Sequence, residues 1–450
     1  MSDQSDLEQF ASADGGDERQ PAEHESEDPE PEEHGTARFP SLPADWEIKR
    51  LDEIATVQGG STPSTDKDEY WGGDLLWATP TDLTELQGNT ISDTEDTITE
   101  AGLESSSTHV LPPYSVLLTS RASIGKCAVN TVPMATNQGF QSLIPGEGVN
   151  TWYLYYVITE MAPYLESLGA GSTFSEISKR EVQRVQIPVP PMEEQLRIAS
   201  VLFNTGNLVE TRSELIEHLG RLLTATRRRL FERGIDDAGE IESVETFGTV
   251  PAHWDIVPLK EVADVTMGSS PKSEFYNSKG EGLPFFQANS EFGLRTPTHD
   301  RWCSNPAKTA NEGDILLTVR ASVGELNIAP LECCIGRGLA AISPTSVNHE
   351  YLYHHLEFRA RYLQSIATGS TFDSVSTGDI ENLPIAVPPA EIQKKIASTL
   401  ESIQEDYIHA HKRRNLTDRI QEGLMRELIS GQSRVQDETI DILGEVRVNG

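Results

Sequence analysis

Apolar residues along this chain form short runs separated by turn residues, and two much longer patterns of helical period. The runs at 116–119 (VLLT) and 315–318 (ILLT) predict buried strands, and each leads into a tight turn that ends in glycine. The long helical patterns begin after the Pro-Pro pairs that end at Pro191 and Pro389, and proline suits the first position of a helix. The pattern predicts a mixed α/β fold with two unusually long helices.

The first long helix also carries a repeat of seven. Val201, Leu208, Leu215 and Leu222 lie seven positions apart, and in the second helix apolar residues recur at steps of three and four. A seven-residue repeat places an apolar stripe along a helix, which is typical of helices that pair with another helix. We therefore expect the two helices to form a coiled coil. The alternative is that each helix belongs to the core of its own module.

Matched segments show that the chain is an internal duplication. The matched segments are PADW at 43–46 with PAHW at 251–254, SRASIG at 120–125 with VRASVG at 319–324, GSTF at 171–174 with GSTF at 369–372, and IPVPP at 187–191 with IAVPP at 385–389. The offset is 208 residues for the first match and 198 or 199 for the others. The chain is therefore two tandem copies of one module.

Charge complicates the question of what the module binds. The 450 residues include 36 Lys and Arg against 71 Asp and Glu, a net charge of −35, which is unfavourable for contact with nucleic acid. Residues 1–40 hold 13 acidic and 2 basic side chains and few bulky apolar ones, so we expect a disordered tail there. The remaining surface is acidic and poor in lysine, which indicates adaptation to high salt, so DNA binding would need a few concentrated basic sites.

Several classes of protein are excluded by what the sequence lacks. It has no apolar stretch long enough to cross a membrane and no signal peptide, so a cytoplasmic location is expected. Cys127, Cys303, Cys333 and Cys334 form no CxxC pair, so neither a zinc ribbon nor a disulfide framework is predicted. No phosphate-binding loop, HExxH or GxSxG motif occurs, and neither does the Pro-Pro-aromatic motif of amino-methyltransferases. We expect no catalytic residue, metal or cofactor in this chain.

The two glycine-ended turns are the best candidate binding elements. Arg121 and Ser123 lie in the first turn, and Arg320 and Ser322 lie in the second. A guanidinium can hold phosphate or guanine through two parallel hydrogen bonds, although a plain hairpin turn explains these residues equally well. The Gly-Ser-Thr-Phe turns offer small donors that suit either phosphate contacts or helix caps. The candidate DNA contacts are Arg121, Ser123, Gly171, Ser172, Thr173, Arg320, Ser322, Gly369, Ser370 and Thr371.

Longer motifs are similar to those of one known family. They are GGSTPS at 59–64, YWGG at 70–73, LWATPTDL at 76–83, GSSP at 268–271, YN at 276–277, PFFQ at 284–287, VPPMEEQLRIA at 189–199 and VPPAEIQKKIA at 387–397. The first six resemble two subtypes of the opening of a target-recognition domain, and the last two resemble the entry into spacer helices. Over about residues 43–434 the chain resembles the specificity subunits of type I restriction–modification enzymes.

The resemblance implies two tandem α/β target-recognition domains, separated by two long antiparallel helices in a pseudo-twofold internal repeat. The implied division is a disordered acidic tail at 1–42, recognition domains at 43–190 and 251–388, long helices at 191–235 and 389–434, a linker at 236–250 and a C-terminal tail at 435–450. Each domain would read one half of a bipartite sequence in double-stranded DNA. Because the two openings differ, the target should be asymmetric.

The resemblance also implies partners. The subunit itself would be non-catalytic and would recruit two methyltransferase subunits that use S-adenosylmethionine, and motor–nuclease subunits that use ATP and Mg²⁺. Two other functions stay open at this point. One is a stand-alone restriction endonuclease with similar recognition domains, and the other is an interaction scaffold that does not bind DNA.

Overall fold

The computed structural model describes residues 39, 41–170, 176–235, 240–244, 247–320, 322–368 and 374–436. They form two α/β domains and two long helices, so the predicted mixed α/β class is confirmed. Most of the predicted tails at 1–42 and 435–450 lies outside the described residues. Among the helices of the described part, none combines the length and the apolar character needed to cross a membrane.

Domain 1 precedes the first long helix. Its elements are β1 Glu47–Arg50, α1 Leu51–Ile54, β2 Ala55–Gly59, β3 Trp71–Ala78, α2 Pro80–Glu85, β4 Thr90–Ile91, β5 Asp96–Ile98, α3 Glu100–Glu104, β6 Val116–Leu118, β7 Cys127–Asn130, β8 Ala135–Thr136, β9 Gln141–Pro145, α4 Thr151–Glu160, α5 Ala162–Gly169, α6 Lys179–Arg184 and β10 Gln186–Val189. The main sheet has the order β2-β9-β6-β7-β4, and β5-β3-β8 and β1-β10 form two smaller sheets.

Two long helices follow the two domains, and domain 2 lies between them in the chain. The long helices are α7 Met192–Arg233 and α10 Ala390–Ile429. The elements between them are β11 Ile241–Val244, β12 Gly248–Pro251, β13 Asp255–Pro258, β14 Ala263–Met267, β15 Tyr276–Asn277, β16 Leu283–Phe286, β17 Trp302–Cys303, β18 Thr309–Ala310, β19 Ile315–Thr318, β20 Leu326–Ile328, β21 Cys333–Ile335, β22 Leu339–Pro344, α8 His349–Thr368, α9 Thr377–Glu381 and β23 Pro384–Val387. In the stretch predicted as a linker, β11 pairs with β12.

The two domains share one strand order in the sheet that carries the predicted arginine turns. That order is β2-β9-β6-β7 in domain 1 and β14-β22-β19-β20 in domain 2, with antiparallel neighbours. The strands β6 and β19 are the two apolar runs predicted from the sequence, and all their side chains are buried. Burial of these runs in the cores fixes the starting point of the turn that follows each strand.

The helices α7 and α10 pack against each other and run in opposite directions. Gly206 lies against Gln421 and Gly220 lies against Tyr407, so the contact moves down one helix as it moves up the other. At the end nearest domain 2, α7 and α10 share an apolar cluster that contains Leu230 of α7. The pairing therefore extends along most of both helices.

The predicted apolar seam on α7 is wrong for three of its four positions. Leu208, Leu215 and Leu222 are 43%, 49% and 50% exposed, whereas Leu223 is buried in the cluster shared with α10. One residue rotates an α-helix by about 100°, so the packed face lies one position away from the predicted stripe. The seven-residue repeat gave the correct spacing of the α7 residues that contact α10, but it identified the wrong face of α7.

A buried glutamine near the start of each long helix joins that helix to its own domain. In α7, Gln195 accepts a hydrogen bond from the Asn150 N–H at 2.8 Å and donates to a proline carbonyl just before the helix. In α10, Gln393 accepts from the Asn348 N–H at 2.9 Å and donates to the equivalent proline carbonyl. The helix-entry motifs therefore fix each domain to the helix pair.

Candidate nucleic-acid interface

Each predicted arginine turn is closed by a threonine that precedes it. In domain 1 the Thr119 hydroxyl donates to the Ser123 carbonyl at 2.5 Å, and in domain 2 the Thr318 hydroxyl donates to the Ser322 carbonyl at 2.6 Å. Both threonines are buried at the ends of their strands. The backbone of the two predicted serines therefore closes the turn.

The glycine that ends each turn is required by its backbone angle and by the space around it. The φ angle is +89° at Gly125 and +98° at Gly324, in the region that favours glycine. A Cβ atom at Gly125 would lie 2.9 Å from the Cβ of Ala162 in α5, and one at Gly324 would lie 3.1 Å from the carbonyl oxygen of Ala360 in α8. Each turn is thus held against a helix, which limits how far it can move.

The two arginines have different surroundings. Arg121 forms an ion pair with Glu176, with 2.8 Å between Nη2 and Oε1, and the two side chains are 45% and 30% exposed. Arg320 is exposed, and among the residues that the structure describes its side chain makes neither an ion pair nor a hydrogen bond. A phosphate could bind Arg320 directly, but it would have to displace Glu176 to bind Arg121.

The predicted Gly-Ser-Thr contacts at 171–173 and 369–371 lie outside the described residues. The described chain resumes at Glu176 and Ser374, and these two residues form isolated β-bridges with Arg121 and Arg320. The segments that follow the Gly-Ser-Thr motifs in the sequence are therefore adjacent to the arginine turns in both domains.

A second turn lies beside each arginine turn and was missed by the sequence analysis. We call residues 137–139 and 336–338 the tip turns. The Ser120 N–H donates to the last carbonyl of the first tip turn at 2.7 Å, and the Val319 N–H donates to that of the second at 2.9 Å. The offset of 199 residues that relates the arginine turns also relates the tip turns, and this was the available signal.

The opening motifs pack onto the same tip turns. The Ser61 N–H and the Ser269 N–H each donate to the carbonyl just before the tip turn, both at 3.0 Å. A Cβ atom on Gly60 or on Gly268 would overlap a tip-turn carbonyl oxygen. We call the three segments together the rim, which comprises residues 60–64, 120–125 and 137–139 in domain 1 and residues 268–272, 319–320, 322–324 and 336–338 in domain 2.

The rims carry no carboxylate although the chain is strongly acidic. The rim of domain 2 contains Lys272, Arg320 and Arg337, and the rim of domain 1 contains Arg121. In a chain with 71 acidic and 36 basic residues, these segments are local exceptions to the negative charge. Arg121 is paired with Glu176 and Lys272 lies 3.7 Å from Glu274, whereas Arg320 and Arg337 make no ion pair with other described residues. The rim of domain 2 therefore suits a polyanion such as the DNA backbone.

Comparison with known proteins identifies the family. The family described as the type I restriction modification DNA specificity domain matches residues 43–220 and 251–417, which is most of the chain. The chain belongs to the family of type I restriction–modification specificity subunits. As a specificity subunit, it recognises DNA sequence. The match does not support a stand-alone restriction endonuclease, and it does not support an interaction scaffold that does not bind DNA.

Relatives of this specificity subunit include proteins from archaea and bacteria. The MjaIX type I restriction enzyme specificity subunit of Methanocaldococcus jannaschii is 31% identical over 420 residues, which cover 88% of this chain and 95% of that protein. The EcoR124I/EcoR124II specificity subunit of Escherichia coli is 32% identical over 176 residues, which cover 37% of this chain and 43% of that protein.

Two solved structures share the fold of the specificity subunit. One is a chain from a type I restriction–modification system, with a TM-score of 0.55, 24% identity and coverage of 87% of this chain and 100% of that chain. The other is the type I S subunit from M. genitalium, with a TM-score of 0.60, 16% identity and coverage of 86% and 98%. Within the described ranges of the specificity subunit, no three His, Cys, Asp or Glu side chains are grouped as ligands for a metal ion.

Proposed function

We propose that each domain reads one half of a bipartite DNA target and that the helix pair, as an antiparallel coiled coil, sets the distance between the halves. The observation that carries the proposal is the presence of two matching rims, one in each domain, with different exposed side chains. Matching backbones suit the same kind of ligand, and different side chains suit different bases. The target is therefore asymmetric.

A pseudo-twofold relation between the modules is part of this proposal. Gly234, just after α7, lies against Pro251 at the start of domain 2, and Gly431, just after α10, lies against Pro43 at the start of domain 1. The end of each long helix thus meets the start of the domain that precedes the other long helix, and it does so in the same way. This cyclic arrangement supports two domains held in equivalent positions on one helix pair.

We further propose that the chain recruits two methyltransferase subunits and motor–nuclease subunits and does not itself catalyse a reaction. The exposed Leu208, Leu215 and Leu222 leave an apolar stripe on α7 that the described part of this chain does not cover, which suits partner helices. The partners would use S-adenosylmethionine, ATP and Mg²⁺. The family supports these roles.

Selection from a library of random DNA duplexes tests the proposal. The full chain is immobilised, and the selection is run at low and at high salt. It should enrich a motif of two short blocks at a fixed spacing. The enrichment should be clearest at high salt, because salt weakens the binding to phosphates that carries no sequence information. Enrichment of a single uninterrupted block, or of no sequence at all, would contradict the proposed function.

The purified chain is expected to neither methylate nor cleave DNA. With S-adenosylmethionine or with ATP and Mg²⁺, a duplex that contains the selected motif should remain unmodified and intact, because the chemistry is assigned to the partner subunits. Incorporation of labelled methyl groups and strand breakage on gels are the two readouts. Methylated or cleaved DNA formed by the chain without partners would show that the non-catalytic assignment is wrong, provided that the activity co-purifies with the chain.

The two turn arginines are expected to act on separate half-sites. Replacing Arg320 with Ala should weaken dependence on one block of the motif, and Arg121→Ala should weaken dependence on the other, each by roughly 1–3 kcal/mol for a lost bidentate base contact. We expect the larger effect for Arg320, because Arg121 is already paired with Glu176.

Binding titrations against duplexes with either block scrambled measure this dependence. A phosphate contact would instead weaken all duplexes equally and reduce the salt dependence of binding. Unchanged affinity and selectivity in both variants would show that these are structural turns only.

A further inference from the structure

The middle residue of each tip turn is exposed and occupies the same position in the two domains. Gln138 is the middle residue in domain 1, and Arg337 is the middle residue in domain 2. The residues on either side of them are tied down by backbone contacts to the arginine turn and the opening motif. Each tip turn therefore presents one long polar side chain from a backbone that has little freedom.

Rigid backbone beneath a polar side chain is what sequence readout needs. A side chain on a fixed turn loses little conformational entropy on binding, and its hydrogen-bonding groups arrive in a defined direction. In domain 1 the Thr62 hydroxyl donates to Oε1 of Gln138, which sets the orientation of the amide and leaves its N–H groups and the second lone pair of Oε1 available. In domain 2 the guanidinium of Arg337 makes no hydrogen bond or ion pair with other described residues, so all its donors are available.

We propose that Gln138 and Arg337 are equivalent base-reading residues, and that Gln138 reads adenine in one half-site where Arg337 reads guanine in the other. Glutamine can donate to N7 and accept from N6 of adenine, whereas arginine donates to both N7 and O6 of guanine. Both pairs form at the same edge of the purine in the major groove. This assignment rests on the proposed reading of one half-site by each domain.

The neighbouring cations complete the assignment in domain 2. Arg320 lies on the next turn, on the other side of the hydrogen bond between Val319 and the tip turn. Lys272 follows the opening motif, is 80% exposed and lies 3.7 Å from the exposed Glu274. Phosphate contacts of this kind position a protein on the duplex, and base contacts add the sequence information. We therefore assign positioning to Lys272, and we assign the base contacts of this half-site to Arg337 and Arg320.

Reciprocal substitutions test the proposal with the full chain and the random-duplex selection. Arg337→Gln should change the preferred base at one position of one block from guanine to adenine, and Gln138→Arg should change one position of the other block from adenine to guanine. Arg337→Ala should reduce discrimination at that position by roughly 10-fold to 100-fold without a new preference. Lys395→Ala, an exposed cation on α10, is the matched control and should leave the motif unchanged.

The outcomes separate this assignment from the function on which it rests. A wild-type chain that enriches no two-block motif would overturn the proposed function and the assignment together. A wild-type motif that stays the same in the reciprocal variants, or a uniform loss of affinity for all sequences, would overturn the assignment alone. A reciprocal variant that unfolds at lower urea concentration can lose one whole block of the motif because it is damaged. In that case Arg337→Ala is the deciding variant. If Arg337→Ala still selects guanine at the assigned position as strongly as the wild type does, base reading by Arg337 is contradicted.

Discussion

Lengthening both long helices by four residues at the same height is expected to move the two half-sites apart by one or two base pairs. Four residues add ~6 Å to a helix and nearly preserve its packed face. Along B-DNA ~6 Å corresponds to about two steps of ~3.4 Å. The inserts belong after Thr224 in α7 and before Ile403 in α10, because these points lie opposite each other in the register that joins Gly220 to Tyr407.

The structure makes the single insertion a control. Four residues added after Thr224 alone would carry Leu230 and Phe231 past the residues of α10 with which they share a core, so stability and DNA selection should both fall. Two residues added to α7 would rotate its packed face by ~200° and should be worse. Methylation mapping in cells that also contain the partner subunits, or duplex selection with the full chain, measures the spacing. An unchanged spacing with full activity in the paired variant would mean that partner subunits position the domains.

Replacing Glu401 with Gln is expected to lower the free energy of unfolding by about 3–5 kcal/mol. Glu401 of α10 accepts hydrogen bonds from Arg295 at 2.7 Å and from His354 at 2.8 Å, and these contacts tie domain 2 to the helix pair. The side chains of Arg295, Glu401 and His354 are 16%, 23% and 0% exposed. Without the carboxylate, the guanidinium of Arg295 would remain largely buried and uncompensated, which is the source of the large cost.

Urea titrations of the full chain measure this effect, and Glu391→Gln is the control. Glu391 lies on the same helix and is 81% exposed, 3.7 Å from Lys394, so its loss should change stability by about 0–1 kcal/mol. Equal midpoints and slopes for the two variants would show that the Glu401 contacts contribute little.

The pH dependence of the Glu401 effect follows from its pKa. Burial raises the pKa of Glu401, but the hydrogen bonds that it accepts from His354 and Arg295 and the positive charge of Arg295 lower the pKa by more, so the net pKa is below its ordinary value. The stabilisation is therefore present at neutral and mildly acidic pH and is lost as pH falls through the lowered value. Burial lowers the pKa of His354, which is consequently neutral at pH 7 and costs stability when acidification protonates it.

The sequence alone was sufficient for features that depend on neighbouring residues. Long helices were predicted from residues 191 and 389, and they begin at Met192 and Ala390. The two apolar runs form buried strands, and the glycines after them end tight turns. Proline, glycine and apolar periodicity act through the local backbone and the burial of one face, so their effects can be read without knowledge of the rest of the fold.

The tertiary structure decided which of these elements meet. The partner of Arg121 is Glu176, and Arg295 is 106 residues from Glu401, so neither pair is visible in any local pattern. At the positions that correspond to Glu401 of α10 and His354 of domain 2, the first module has Phe203 on α7 and Tyr156 in domain 1, so the duplicated modules join the helices by different chemistry.

The packed face of α7 shows why the local pattern was insufficient. Apolar residues recur every seven positions both on the exposed stripe and on the buried one, and a helix buries the stripe that its neighbours cover. The tip turns likewise became evident only when the fold placed them beside the arginine turns, because hydrogen bonds between distant segments bring them together. The sequence by itself determined the elements and their order, and the packing of distant segments determined the surfaces they share.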